Sequence, residues 1–180
     1  MLPSPYPFGV PPKQKKICIV GAGSIGGLLA AKFALAGEDV TVIDQGAHLA
    51  AIKKNSLTLE WHDGKVHTAK TKAVDKPADT GKQDIVVLAV KAHFLDQVVR
   101  DIDSMLGPDT IVRTVQNGLP WWYFHKLGGK YDNQRLQSLY PSGILTNKID
   151  PNRIIGCVAY PAAAVGARQT EQRHTHGRCE

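Results

Sequence analysis

Residues 16–26 read KICIVGAGSIG, and this stretch decides the fold. Its first five residues form a short apolar run that stops at glycine, which is typical of a buried parallel strand. Three glycines follow with the spacing G-x-G-x-x-G, at Gly21, Gly23 and Gly26. From Ser24 to Ala36, apolar side chains then recur at nearly helical spacing. The pattern predicts a strand, a tight glycine turn and a helix in immediate succession.

Each glycine of this motif has a separate physical role in binding a dinucleotide. The first permits the tight turn, the second lets a pyrophosphate approach the backbone, and the third lets the helix pack closely on the strand. The free N–H groups and the positive end of the helix dipole then face the phosphates. We therefore expect the cofactor-binding residues of this loop to be Gly21, Ala22, Gly23, Ser24, Ile25 and Gly26.

An acidic residue stands where such a motif needs one. Val40–Ile43 is β-branched throughout and predicts a second strand, and Asp44 follows it, 21 positions after Gly23. A carboxylate at this point can accept hydrogen bonds from the ribose hydroxyls and repels a 2′-phosphate, which favours NAD(H). Gln45 comes next and is counted with Asp44 in the cofactor site. The alternative for Asp44 is a solvated turn residue.

The remainder of the chain alternates predicted strands with predicted helices. This alternation predicts a doubly wound α/β domain, in which helices cover both faces of a parallel sheet. Between residues 119 and 150 we expect only a short helix. The expected strands are Leu57–Trp61, Val66–Ala73, Ile85–Val90, Thr110–Val115 and Ile154–Tyr160, and the expected helices span residues 47–54 and 94–105, the second ended by Gly107 and Pro108.

Two polar residues follow neighbouring strands of this predicted sheet. Lys91 comes after the strand that ends at Val90, and Asn117 comes after the strand that ends at Val115. Ligands gather outside the carboxyl ends of strands in open α/β sheets, so we expect both residues in the crevice of the glycine loop. A developing alkoxide and a carboxylate both require fixed donors there. The alternatives are a surface lysine at a strand end and an asparagine that forms a turn.

Together, the glycine loop, Lys91 and Asn117 resemble the N-terminal domain of the ketopantoate reductase (2-dehydropantoate 2-reductase) family, over roughly residues 16–164. The resemblance implies a Rossmann-type fold and reduction of a 2-keto acid to a 2-hydroxy acid, giving pantoate in the type reaction. It places Lys91 beside the nicotinamide end and Asn117 at the cofactor–substrate junction, as catalytic and cofactor-binding residues. It implies NADP(H) as cofactor, whereas Asp44 keeps NAD(H) open.

The resemblance also implies a helical C-terminal domain, which supplies the main proton donor and the groups that hold the substrate. No positions of this chain match that domain, so we expect the chain to be incomplete as a catalyst and inactive alone. One alternative is a dinucleotide-binding domain without catalysis. Another is a different hydroxyacid dehydrogenase that shares the Rossmann half.

Composition limits the other function classes. The net charge is +6, from 22 lysines and arginines against 16 acidic residues, but the lysines are scattered and no aromatics interleave with them. We therefore expect no nucleic-acid partner. No apolar run is long enough to cross a membrane. The expected partner is a small 2-keto acid, and a homo-oligomer remains open.

The ends of the chain predict a leader at residues 1–15 and a disordered tail at 166–180, around a domain at 16–165. The leader has five prolines in its first twelve residues and no signal-peptide pattern, which favours a cytoplasmic protein. Cys18 and Cys157 lie in apolar runs and are expected to be buried thiols.

Two further groups of residues allow competing interpretations. A zinc site built from the C-terminal group His174, His176 and Cys179 lacks a fourth ligand, so no metal is expected. The aromatic run at residues 121–124 predicts either a buried cluster or, less favoured, a lid over the substrate or a partner surface.

Overall fold

A computed structural model describes residues 13–61, 63–160 and 162–166. Most elements begin and end within one or two residues of the predicted positions, because their apolar runs are short and bounded by glycine or polar residues. The elements are β1 Lys16–Val20, α1 Ser24–Leu35, β2 Asp39–Ile43, α2 Gly46–Asn55, β3 Leu57–Glu60, β4 Val66–Ala69, β5 Lys72–Val74, β6 Gln83–Leu88, α3 Leu95–Val98, β7 Leu106–Val115, α4 Ile144–Lys148 and β8 Ile154–Cys157.

The main sheet has six strands in the order β5-β2-β1-β6-β7-β8, and every neighbouring pair is parallel. In β1, one of the two middle strands, Ile17 lies opposite Val40 of β2 on one side and Ile85 of β6 on the other. The order corresponds to the doubly wound arrangement that holds dinucleotides where the strand order reverses. The predicted α/β fold is confirmed. The carboxyl ends of β1, β2, β6 and β7 meet at one edge of the sheet.

Successive residues of the central strands face opposite sides and fill two separate cores. Cys18 packs with α3, α4 and Trp121 on one face, whereas Ile19 packs with α1, α2 and the β3–β4 hairpin on the other. Both side chains are fully buried. Burial on both faces explains why these strands read as continuous apolar runs.

The strand predicted at Val66–Ala73 is wrong as a single element. The structure divides it into β4, which pairs antiparallel with β3, and β5, which pairs parallel with β2 at the edge of the main sheet. Only Lys70 and Thr71 separate the two. The partner of β4 is the preceding strand, whereas the partner of β5 lies further back in the chain, before α2, so the local pattern could not show that the direction of pairing changes here.

The helix predicted for residues 94–105 is α-helical only in α3, and a 3-10 turn follows at Ile102–Ser104. The apolar stripe expected along this segment is buried at Leu95, Val99, Ile102 and Met105, whereas Phe94, which was expected to belong to it, is 48% exposed.

Gly107 and Pro108 do not end that helix but lie within β7. The register between β6 and β7 shifts at this point, where a proline without an N–H is tolerated. The backbone hydrogen bonds between β6 and β7 are interrupted here, and the Thr110 hydroxyl bonds to both strands instead. It accepts from Gly107 N at 2.7 Å and donates to Gln83 O at 2.6 Å.

Strands β6 and β8 also end earlier than predicted, at Leu88 and Cys157. The described residues 158–160 and 162–166 form no strand, and Tyr160 is 90% exposed. The two described cysteines are unpaired thiols. Burial raises the pKa of Cys18 to about 12, whereas Cys157 is only half-buried, with its sulfur 3.2 Å from an Arg113 nitrogen, so the expectation of a buried Cys157 is wrong.

The predicted leader and tail fall mainly on residues 1–12 and 167–180, outside the described residues, as does the group around His174. Within the described ranges, no helix has the length and apolar character needed to cross a bilayer. Nor do these ranges contain a cluster of three histidine, cysteine or acidic side chains arranged to hold a metal ion.

Candidate functional site

The glycine loop has the close contacts that its motif predicts. Gly21 lies in the left-handed region with φ +91°, and its N–H donates to Ile43 O at 2.9 Å. A Cβ on Gly21 would lie 2.6 Å from a Val90 methyl carbon, and a Cβ on Gly26 would lie 1.9 Å from Gly21 O and 3.0 Å from the Ala89 Cβ. Glycine is therefore required at both positions for α1 to pack against the loop and β6.

Gly23 differs from the other two glycines, because open space lies in front of it. It caps the N-terminus of α1 with φ −59°, and a Cβ there would meet nothing within 4 Å. The first N–H groups of an α-helix have no carbonyl partner within the helix, and α1 has no acidic residue in its first turn. The structure thus leaves room for an anion at the positive end of this helix.

Asp44 is tied to this loop rather than exposed as a free turn residue. Its Oδ2 accepts from Ala22 N at 2.8 Å and contacts His48 Nδ1 at 3.1 Å, and its Oδ1 accepts from Gln45 N at 2.7 Å. The Asp44 side chain retains 19% of its exposure. The end of β2 and the glycine loop therefore carry one connected acidic site.

Lys91 and Asn117 both have exposed side chains just past the carboxyl ends of β6 and β7. Gln116 joins the two segments, because its side-chain Nε2 donates to Val90 O at 3.0 Å. Val90 also lies beside Gly21, as the contact with a Cβ there shows. The structure therefore gathers the glycine loop and the segments that carry Lys91 and Asn117 at one edge of the sheet.

A cleft opens beside Asn117, between the ends of β7 and β8. Lys91 does not line it. Tyr140 contributes its ring and donates from its hydroxyl to Leu119 O at 2.9 Å, and partial burial raises the pKa of Tyr140 above its ordinary value. That hydroxyl therefore stays protonated at neutral pH. The lining residues also include Thr114, Gln116, Gly118, Pro120, Trp122, Gly156, Cys157 and Val158.

The aromatic run divides between the core and the cleft. Trp121 is 2% exposed and packs in the core at 4.5 Å, edge to face, from Trp122. Trp122 is half-buried and lines the cleft, and Tyr123 is 49% exposed. The buried-cluster interpretation therefore holds for Trp121, whereas Trp122 lies between the core and the cleft.

Sequence reasoning missed two residues of this region, His48 and Tyr140. His48 lies four positions after Asp44, in the first turn of the helix that begins two residues past Asp44, and that spacing was visible in the sequence. Tyr140 belongs to an irregular segment that returns to the cleft only in the folded chain, so no local signal pointed to it.

Several known proteins are similar to this chain in sequence. The family model for ketopantoate reductase PanE/ApbA matches residues 17–122, more than half of the chain. The chain is 48% identical, over 153 residues, to a 2-dehydropantoate 2-reductase of Mesorhizobium japonicum, with 84% of this chain and 47% of that protein covered. It is 35% identical over 105 residues to a 2-dehydropantoate 2-reductase of Pyrococcus horikoshii, and the match covers 58% of this chain and 33% of that protein. The chain thus spans about half or less of the length of these relatives.

Solved structures show the same fold. A ketopantoate reductase structure from Ralstonia solanacearum matches with a TM-score of 0.82 and 40% identity, covering 92% of this chain and 51% of that one. D-mandelate dehydrogenase with NADH and anilino(oxo)acetate matches with a TM-score of 0.61 and 25% identity, covering 78% and 39%. Taken with the glycine loop, the parallel sheet and the acid after β2, these matches show that the chain belongs to the ketopantoate reductase PanE/ApbA family of oxidoreductases.

Proposed function

We propose that this chain is the cofactor-binding half of an NAD(P)H-dependent reductase that converts a 2-keto acid to a 2-hydroxy acid, with 2-dehydropantoate giving pantoate. The observation that carries the proposal is the open N-terminus of α1 at Gly23 with the Asp44 carboxylate bound beside it. The names of the Mesorhizobium and Pyrococcus relatives support the substrate class.

The residues of this chain fit a dinucleotide. The N–H groups at the start of α1, from Gly23 to Ile25, would bind the pyrophosphate, because Ala22 N already donates to Asp44. Asp44 would accept from the adenosine ribose, with Gln45 beside it. Lys91 and Asn117 would donate to the nicotinamide end and to the keto acid. The cofactor, when bound, supplies the hydride.

A titration of NADH and NADPH fluorescence with the purified chain tests the cofactor half of the proposal. We expect saturable binding of at least one cofactor, with micromolar to submillimolar Kd. Failure to bind either cofactor at millimolar concentration would refute it.

A second candidate substrate class has one specific observation in its favour. D-mandelate dehydrogenase shares the fold of this chain, and its structure contains NADH with a 2-keto acid analogue that carries an aromatic ring. Trp122 and Tyr140 give the cleft of this chain aromatic walls as well. Protection of the cleft from proteolysis by ketopantoate or by phenylglyoxylate, each with NADH present, would distinguish the two substrates.

The choice between the two nicotinamide cofactors depends on Asp44. Its carboxylate pairs with hydroxyls and repels a 2′-phosphate, so we propose a weaker NADP(H) preference than the family resemblance implies. Replacing Asp44 by alanine should weaken NADH binding and strengthen NADPH binding. The expected change in the ratio of the two Kd values is about tenfold, since an unmatched partly buried partner costs about 1–3 kcal/mol.

Asp79→Ala is the matched control, because it removes one exposed carboxylate on the 3-10 turn Pro77–Asp79 without touching Asp44. It should leave the ratio unchanged. A wild-type chain that already prefers NADPH strongly would contradict the role given to Asp44.

Self-association of the chain belongs to the proposal too. On the face of the sheet that α1 covers elsewhere, Ile111 of β7 and Ile155 of β8 are 37% and 51% exposed in the described part of the chain, and Val158, just past β8, is 59% exposed. Such apolar patches promote association. We expect the apparent mass in light scattering to rise with concentration, and Ile155→Lys to reduce that rise. A monomer at all concentrations would contradict this prediction.

The remaining expectations stay predictions. A cytoplasmic location fits the two unpaired thiols, and the absence of a nucleic-acid partner fits the scattered basic residues.

A further inference from the structure

Within the described part of the chain, three donors hold the Asp44 carboxylate, and one of them is a side chain. Ala22 N and Gln45 N are backbone groups, which any residue at those positions would supply. His48 Nδ1, at 3.1 Å from Asp44 Oδ2, is the only one of the three that depends on residue type. His48 lies in the first turn of α2, and its side chain retains 28% of its exposure.

The protonation of this contact follows from the chemistry of the carboxylate. An ionised carboxylate only accepts hydrogen bonds, so Nδ1 of His48 carries a proton. Oδ2 then accepts from both Ala22 and His48, which uses its two lone pairs, whereas Oδ1 accepts from Gln45 alone among the residues that the structure describes. The arrangement leaves acceptor capacity on Oδ1 for a ligand hydroxyl.

We propose that His48 is a positioning residue that orients the Asp44 carboxylate and thereby determines the preference for NADH over NADPH. The inference rests on the proposed function, because it requires a dinucleotide at the glycine loop. Without His48, the described restraints on the carboxylate are one backbone hydrogen bond to each oxygen, so its orientation about χ2 is held less firmly. A carboxylate that is held less firmly pairs less well with the ribose hydroxyls and also opposes a 2′-phosphate less.

Two substitutions separate donor chemistry from side-chain volume. His48→Leu removes the donor and puts an apolar side chain of similar size at the same position of α2. His48→Asn retains an N–H donor at the same distance along the side chain as Nδ1. We expect the leucine variant to weaken NADH binding roughly fivefold, the worth of one net hydrogen bond, and to leave NADPH affinity unchanged or improved. The asparagine variant should restore most of the NADH affinity.

A double-substitution cycle tests whether His48 acts through Asp44. In the Asp44→Ala background, His48→Leu should leave both Kd values unchanged, because the group that it orients is absent. If His48 merely stabilised α2, its substitution would weaken the binding of both cofactors equally. If His48 contacted the cofactor directly, its substitution would still weaken binding in the Asp44→Ala background. Circular dichroism melts of each variant show whether it is folded, and His48→Ala replaces the leucine variant if that one is not.

The outcomes distinguish this inference from the proposed function. A wild-type chain that binds neither cofactor refutes both. If the wild-type chain binds NADH and His48→Leu leaves the ratio of the NADH and NADPH Kd values unchanged, the inference about His48 is refuted and the proposed function is not. We expect His48→Leu to reduce the preference for NADH over NADPH, as measured by the two Kd values. His48→Asn should restore most of that preference, and in the Asp44→Ala background His48→Leu should have no effect on it.

Discussion

The 180-residue chain is expected to bind NADH yet to reduce 2-dehydropantoate at least about 10⁴-fold more slowly than the Mesorhizobium japonicum relative. General acid catalysis contributes about 10²–10⁴-fold, and positioning of the reactants contributes as much or more. This chain spans 47% of the length of that relative, and Lys91 and Asn117 are the substrate-binding donors that we assign to it. Both side chains are exposed, so water surrounds the reacting groups.

The measurement is the loss of NADH absorbance with 2-dehydropantoate at enzyme concentrations well above those needed for the relative. The same preparation should quench NADH fluorescence on binding, which separates a missing catalytic group from a missing cofactor site. Turnover comparable to that of the relative would contradict the prediction. It would mean that a second copy of the chain or the aromatic residues 121–124 supply the proton donor and the substrate contacts, which we assign to the part of the relatives that this chain does not match.

The second large effect concerns two glycines of the glycine loop. Substitution of one should reduce cofactor affinity, and substitution of the other should reduce the stability of the fold. Gly23→Val should lower cofactor affinity by roughly 100-fold or more, because its side chain fills the open space in front of α1, while the fold survives. Gly26→Ala should destabilise the fold by about 1–3 kcal/mol or more, because its Cβ would lie 1.9 Å from Gly21 O. Fluorescence titration and thermal melts measure the two effects.

Each variant serves as the control for the other, since both alter glycines of the same helix N-terminus. Gly23→Ala should show a smaller loss of affinity than valine, in proportion to the volume added. An unchanged cofactor affinity in a folded Gly23→Val protein would refute the assignment of the phosphate site. A Gly26→Ala protein as stable as the wild type would show that α1 can move away from β1.

Much of the fold was predictable because its determinants are local. The run KICIVGAGSIG contains its own strand, turn and helix start, and the structure places all three where the pattern predicts them. The continuous apolar character of β1 and β6 reflects burial on two faces, which is a property of the strand itself. The position of Asp44 follows from the length of one strand–helix–strand unit.

Interactions between distant residues decided the rest. The division of Val66–Ala73 depends on which partner strand lies beside each half, and the strand through Gly107 and Pro108 depends on the bond from Thr110 to Gln83 O. Strand β3 directly precedes β4, but β2 and Gln83 lie far along the chain from β5 and Thr110, so local propensity carried no information about those two contacts.

The site divides in the same way. The sequence by itself determined the glycine loop and the acid after β2, because the tight turn and the helix start require those residue types at that spacing. Only the tertiary structure showed that Ala22 and His48 hold the Asp44 carboxylate, and that Trp121 is buried while Trp122 lines the cleft. The physical reason is that a side chain's partners depend on the packing of separate segments, and spacing along the chain specifies only the nearest of them.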